Sequence, residues 1–428
     1  MALLIQRPTH KAEWAYAEDI PGTRCGPESA SWPLPFSLLD DAAISRQLDL
    51  LAHPESRLMD SGRTVDAVNF QPCVSVKTQD RYVVQQFDVP GTGEGKWELT
   101  GVFDGHLGDV TVEHVVRHLP IIVRQFLSGA SQQDLQDPEI ISALFEKSIQ
   151  AFDKAIAGDV LDLFGGSVQS LSRFSDAEIR GIINDQATGG DNFRKARLNM
   201  YGTTALLALV DPKHDNLWIA NLGDCQAILV SPQSPGEYSV EVLTTLHNGT
   251  NESELTLLRS QHPNEPECIV EHRVLGALAP TRCLGDTPFK QPPEFTRRIL
   301  YNLFPGFHDT APWEEFLVRN RTPPYISAKP DVSHYKLERR HQAGPRFLVL
   351  CSDGFADLCE GSVQGQTRVL QDWAKGMVSS SSSSTENMAL GLLRRALGGD
   401  DRFSVSRVLT LDMEGAWIDD TAIVVQTI

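Results

Sequence analysis

Leu99-Thr100-Gly101-Val102-Phe103-Asp104-Gly105-His106 sets an apolar, strand-like run directly against an acidic turn. The same arrangement recurs at Asn221-Leu222-Gly223-Asp224, at Phe347-Leu348-Val349-Leu350-Cys351-Ser352-Asp353-Gly354 with Asp357 close behind, and at Trp417-Ile418-Asp419-Asp420-Thr421 before an Ala-Ile-Val-Val run. A carboxylate where a buried strand gives way to a turn is costly to desolvate unless a cation or strong donors meet it. Several such carboxylates, gathered by folding, would form an oxygen-lined site for hard divalent ions.

Composition sets the frame. The 428 residues are 41% hydrophobic and 22% charged, the balance of a globular chain. With 38 Lys and Arg against 56 Asp and Glu the formal net charge is -18, which argues against nucleic acid or an anionic membrane as a general partner. No apolar run reaches the length of a membrane span. The seven cysteines, Cys25, Cys73, Cys225, Cys268, Cys283, Cys351 and Cys359, are dispersed and odd in number, a pattern of reduced thiols in an intracellular protein rather than a disulfide or zinc framework. The segment Met1 to Arg24 carries Arg7 and Lys11, but Glu13, Glu18 and Asp19 follow, so it reads as a poor organellar transit peptide and favours a cytoplasmic location.

Residues 1–65, rich in Pro, Gly and Ser, read as an irregular extension with one short helix near Leu38 to Leu51. The regular domain is placed at 66–428. Strands are expected at Cys73-Val74-Ser75-Val76, Tyr82 to Phe87, Lys96 to Phe103, Thr203 to Val210, Phe347 to Cys351 and Ala422 to Gln426, with Leu217–Asn221 and Ala227–Val230 forming a hairpin around Gly223-Asp224. The Pro90 to Gly95 cluster reads as a hairpin loop rather than a phosphate cradle, because no helix follows it. Val112, Val115, Leu119, Val123 and Phe126 mark a helix that Pro120 should kink or divide. Asp137-Pro138-Glu139 starts another, and Asn251 caps a third that runs to about His262. Two more helices are expected at about 362–376 and 385–398, joined by a low-complexity Ser379 to Ser384 loop. Residues 158–200 and 287–327 read as insertions, the latter a surface excursion. Strand groups interleaved with helix pairs give an α+β fold with two sheets.

Six motifs in order resemble the metal-dependent protein phosphatases of type 2C: Val102 to Gly108, Tyr201 to Ala205, Asn221 to Asp224, Leu278 to Asp286, Ser352 to Gly354 with Asp357, and Asp419 to Thr421. The resemblance covers about Val74 to Ile428. Within the family, Leu246 to Glu254, Leu257 to Pro263, Arg273 to Gly276 and Pro323 to Pro330 are most similar to the pyruvate dehydrogenase phosphatases, which points to the mitochondrial matrix as the alternative compartment. The resemblance implies a four-layer α-β-β-α sandwich of two antiparallel sheets flanked by helices, with two Mg or Mn ions at one end. It makes Asp104 a bridging ligand, adds the Gly105 carbonyl, Asp80, Asp353 and Asp419 as metal ligands, and assigns a third, weaker ion to Asp224, Asp357 and Asp353. Two close dications would lower the pKa of a shared water for in-line attack on phosphoserine or phosphothreonine of a phosphoprotein substrate, with His106 as general acid.

Two departures stand out. The family's Glu-Asp pair is here Gln79-Asp80, and an amide at position 79 removes a charge while keeping a hydrogen-bonding oxygen near the metals. The arginine that many members carry a few residues earlier is absent; Lys77 is the only cation there, and the phosphate anchor stays unassigned. Gln79 supports a rival reading, a pseudophosphatase acting as a binding scaffold. Asp286 and Arg282 read as structural, and His114 and His118 as an exposed helix face rather than a metal pair. Oligomeric state is not legible.

Overall fold

The computed structural model describes residues 12–428 apart from 27, 92–94, 235, 338–344, 360–362 and 380–386. Two antiparallel sheets stack face to face. One has five strands in the order Asp331–Lys336, Asn216–Leu222, Ala205–Val210, Trp97–Phe103, Arg81–Phe87. The other has six, in the order Glu237–Val242, Gln226–Ser234, Phe347–Cys351, Thr421–Thr427, Thr64–Phe70, Glu55–Leu58.

Central strands read as unbroken apolar runs because both of their faces are buried. Along Ala205–Val210, Leu206, Ala208 and Val210, beside Val102 and Ile219 of their own sheet, face the opposing sheet and meet its Leu348, Leu350 and Val424. The alternate residues, Ala205, Leu207 and Leu209, face helices Val110–Ser128 and Pro138–Leu161 through Val112, Val115, Leu119 and Phe145. The six-stranded sheet does the same: Phe347, Val349 and Ile423 pack outward on Ile44, Leu48, Leu392 and Val405. Those four residues lie on helices Asp41–Ala52, Met388–Ala396 and Arg402–Thr410. The result is the four-layer α-β-β-α sandwich.

Several local expectations are corrected. Cys73 to Val76 is a turn, not a strand: Cys73 N donates to Gln71 Oε1 at 3.1 Å and Val76 N to Cys73 O at 3.0 Å. The strand lies earlier, at Thr64–Phe70, where buried Asp66 interrupts the apolar signal; its Oδ2 accepts from Met388 N at 2.7 Å. Strands Asn216–Leu222 and Gln226–Ser234 do not form a hairpin. They belong to different sheets, and the Gly223-Asp224 turn carries the chain across. Helix Val110–Ser128 passes through Pro120 undivided, held by its buried stripe on the sheet.

Residues 12–65 are more regular than expected, with a strand pair, Ala12–Ala15 with Leu34–Ser37, besides the helix Asp41–Ala52 and the edge strand Glu55–Leu58. The two stretches read as insertions pack on each other, Phe164, Ile179 and Ile183 against Phe295, Ile299 and Leu300, so the second is not merely a surface excursion. Most of the Ser379 to Ser384 loop, the middle of the Pro90 to Gly95 loop and the first eleven residues lie outside the described residues. All seven cysteines are buried thiols outside any disulfide. Among the described residues no helix is long and apolar enough to cross a membrane.

Candidate active site

Strand register brings the acidic turns to one end of the sandwich. In the five-stranded sheet Arg81 faces Phe103, Val102 faces Leu206 and Leu222 faces Ala205, so Asp80, Asp104 and Asp224 leave by the same edge. In the six-stranded sheet Gln226 faces Cys351, Cys351 faces Ile423 and Thr421 faces Phe70, which delivers Asp353, Asp419, Asp420 and Gln71 there as well. Asp357 follows one turn into the helix Asp353–Leu358.

The backbone around these acids is tied down. Asp104 N donates to Thr204 Oγ1 at 3.0 Å, and Asp104 O accepts from Thr203 Oγ1 and Thr204 N, both at 2.9 Å. Gly105 is pressed so closely on the preceding loop that a Cβ would lie 2.7 Å from Gln79 O. Buried Asp80 crosses between the sheets, its Oδ2 accepting from Ala422 N at 3.0 Å. Asp420 Oδ2 accepts from Gln79 N at 2.6 Å and its Oδ1 from Gln71 Nε2 at 2.8 Å. Asp419 Oδ1 accepts from Asp420 N at 3.0 Å, and its Oδ2 pairs with Arg24. Asp224 Oδ2 accepts from Asn248 Nδ2 at 3.0 Å.

Crowding of these carboxylates pushes their pKa values up. Burial, reinforced by Asp353, Asp80 and Asp224, raises Asp104 well above the carboxylate range. Burial followed by the charge of Asp420 raises Asp80 to about 8, and burial followed by Asp224 raises Asp353 to about 7. Asp224 and Asp357 are raised as well, chiefly by burial. Such a cluster is not stable as a set of bare anions at neutral pH; it calls for positive charge.

The donor set fits hard dications. Asp353 Oδ1, Asp224 Oδ1 and Gln79 Oε1 are buried oxygens without a hydrogen-bond partner, and the ligand chemistry at this end is all oxygen. Among the described residues no group of three or more His, Cys, Asp or Glu side chains is arranged to hold an ion as it stands. Arg24 engages one oxygen of Asp419 while the other accepts from the Asp420 backbone.

His106 lies beside the cluster on a three-stranded miniature sheet of Gly105–His106, Gly202–Thr203 and Leu284–Gly285. Its Nε2 is 2.6 Å from Asp286 Oδ2, which also accepts from Cys283 Sγ at 2.9 Å. Burial alone would lower the His106 pKa, but the charge and hydrogen bond of Asp286 outweigh it and leave the imidazole raised. Asp286, read from sequence as structural, is therefore the partner that favours the protonated form of His106, and its own pKa is lowered despite burial by the charge and hydrogen bond of His106.

The remaining residues divide clearly. Arg282 is structural, binding Glu254 through Nη2 at 2.6 Å and Asp331 through Nη1 at 2.7 Å. Lys77 pairs with Asp109 and sits 3.6 Å from Glu113, on the first turn of the following helix. His114 and His118 are not an exposed face; both are half-buried, with the His114 ring tilted at 38° against Phe152, centroids 5.7 Å apart, and its pKa lowered to about 4 by burial and then His118. Asp286, Asn248, Asp420 and Arg24 were missed as site residues. All but Arg24 lie in motifs visible in sequence.

The double antiparallel sandwich thus ends in an oxygen-lined acidic cluster with the His106–Asp286 pair alongside. The chain belongs to the Protein phosphatase 2C family, which its residues 74–363 match. It is 36% identical over 196 residues to the human mitochondrial [Pyruvate dehydrogenase [acetyl-transferring]]-phosphatase 2, covering 45% of this chain and 35% of that protein. A Protein phosphatase 2C homolog of Schizosaccharomyces pombe is 26% identical over 359 residues, covering 78% and 73% of the two chains. The mitochondrial [Pyruvate dehydrogenase [acetyl-transferring]]-phosphatase 1 of Saccharomyces cerevisiae is 28% identical over 262 residues, covering 60% and 41%. The match thus spans about a third of the human relative's length.

Proposed function

We propose that this chain is a Mg- or Mn-dependent serine/threonine protein phosphatase. The observation that carries the reading is the convergence, by strand register, of Asp80, Asp104, Asp224, Asp353 and Asp419 on one edge beside the His106–Asp286 pair. Asp104, the Gly105 carbonyl, Asp353 and Asp419 would hold two ions, and Asp224 and Asp357 with Asp353 a third. Bound there, the ions would supply the charge that makes water nucleophilic near neutral pH.

The residues of the chain do the rest. Thr203 and Thr204 fix the Asp104 backbone so that its carboxylate is pre-aimed. Asn248 orients Asp224 by occupying one oxygen and leaving the other unpartnered. His106, whose protonated form Asp286 favours, donates a proton to the seryl or threonyl oxygen as the P–O bond breaks. The substrate is a phosphoprotein, met in the cytoplasm or the mitochondrial matrix.

The test is hydrolysis of a phosphothreonine peptide with Mn, Mg or EDTA, beside Asp104→Asn and Asp353→Asn. Both variants should lose about 100-fold or more in kcat, the scale of removing a group that organises transition-state charge. Metal-independent turnover, or full activity in both variants, would sink the reading.

A further inference from the structure

One cation reaches into the acidic end, and it comes from outside the family match. Arg24 precedes residue 74, where that match begins. Its guanidinium pairs with Asp419 Oδ2. The segment that carries it is docked rather than loose. Arg24 N donates to Trp417 O at 3.0 Å, two residues before Asp419. The next residue, buried Cys25, places its Sγ 3.7 Å from Ala416 O. On the other side Gly22 lies so close to Asp357 that a Cβ would sit 2.7 Å from the Asp357 Cβ. Further out, the strand pair Ala12–Ala15 with Leu34–Ser37 closes the loop, and Ser37 N and Leu39 N are fastened to Thr410 Oγ1 and Ser406 Oγ at 2.9 and 3.0 Å.

From these contacts we infer that Arg24 is a tethered competitor for the divalent cations. Its guanidinium occupies the Asp419 oxygen that a metal ion would need, and the ion must displace it to load the site. The inference rests on reading the acidic end as the metal site, and it adds what that reading lacks: a part of this chain that sets the metal concentration at which the site fills. Both oxygens of Asp419 are engaged, one by the Asp420 backbone and one by Arg24, so the two uses of the carboxylate exclude each other. Tethering makes the competition effective, because a guanidinium held by fixed backbone on both sides stays at high local concentration. The Arg24 side chain is 53% exposed, so it has a route outward when displaced.

Mn(II) binding to the full chain, followed by electron paramagnetic resonance or calorimetry, tests this without relying on turnover. Arg24→Gln should bind Mn(II) roughly 5-fold more tightly than the natural chain, the scale of losing one partly exposed ion pair. Arg24→Lys, which keeps the charge, should stay within about 2-fold of the natural chain on that same scale. Equal or weaker Mn(II) binding by Arg24→Gln overturns the inference. If that variant instead shows a raised KM for phosphopeptide with unchanged Mn(II) affinity, Arg24 serves the substrate phosphate and the competitor role is again overturned. Should neither the natural chain nor the variants bind Mn(II), the metal-site reading itself fails, a result distinguishable from the other two.

Discussion

Gln79 and Asp286 are the two residues whose roles the structure redraws. Gln79 stands where the family usually has an acid, yet its backbone N holds Asp420 and its Oε1 is a buried oxygen without a partner. A carboxylate at this position would add negative charge to the acidic edge, so Gln79→Glu should lower the Mn concentration for half-maximal activity by about 10-fold. A natural chain inactive at high Mn, with activity appearing only in Gln79→Glu, would mark the protein as a scaffold. For Asp286 the sign follows from His106, whose pKa is raised in the fold. A general acid works below its pKa, so activity falls as pH rises through the raised value. Removing the raising charge in Asp286→Asn leaves burial to lower it, and the alkaline limb of the kcat profile should move to lower pH, with about 10-fold loss of kcat near pH 7. An unmoved limb would separate Asp286 from the proton transfer. The same linkage gives His106 a stabilising contribution that is fully present below the ordinary histidine pKa and is lost as pH rises through the folded value.

At the level of elements, the miniature sheet of Gly105–His106, Gly202–Thr203 and Leu284–Gly285 is what joins His106 to a partner far along the chain. Gly202 pairs with both His106 and Gly285, and a Cβ there would collide with the Asp286 carboxylate. Gly202→Ala should therefore push Asp286 off His106 and cut kcat by about 10-fold. Its Mn(II) affinity should stay close to that of the natural chain, because the collision is with Asp286 and not with a metal-facing acid. Equal losses of both, measured by calorimetry beside steady-state kinetics, would show that the small sheet supports the whole acidic edge rather than the proton donor. The Gly223-Asp224 turn makes a similar point. From sequence it reads as a hairpin, since two apolar strands flank a glycine; in the fold it links two sheets, and His247 braces it by accepting from Gly223 N at 3.2 Å.

Across the whole molecule, a polar bridge buried inside the sandwich ties the sheets together. Glu98 Oε2 accepts from Gln426 Nε2 at 3.0 Å, Gln426 Oε1 accepts from Thr100 Oγ1 at 3.2 Å, and Glu98 Oε1 accepts from Ser61 Oγ at 2.7 Å. Glu98 and Gln426 are each 1% exposed and belong to opposite sheets. Gln426→Ala leaves a buried carboxylate oxygen and a buried hydroxyl unmatched, which should lower stability by about 1–3 kcal/mol and shift the urea midpoint accordingly. An unchanged midpoint would mean that the bridge is replaced by water. The acidic edge lies at the end of this sandwich, so the same variant should leave Mn(II) affinity unaltered.

The sequence determined the inner strands, the major helices and the chemistry of the acidic turns. A strand buried on both faces must be continuously apolar, and a carboxylate at its end has few uses other than a cation. It could not determine what those turns face. Register sets them on one edge, the miniature sheet pairs His106 with Asp286, and an arginine outside every motif settles on Asp419. Each of these depends on contacts between residues far apart in the chain, for which local periodicity and spacing carry no signal. The strand at Thr64–Phe70 was hidden for a related reason: Asp66 breaks its apolar pattern, and only the packed helix that supplies Met388 N makes a buried acid acceptable there.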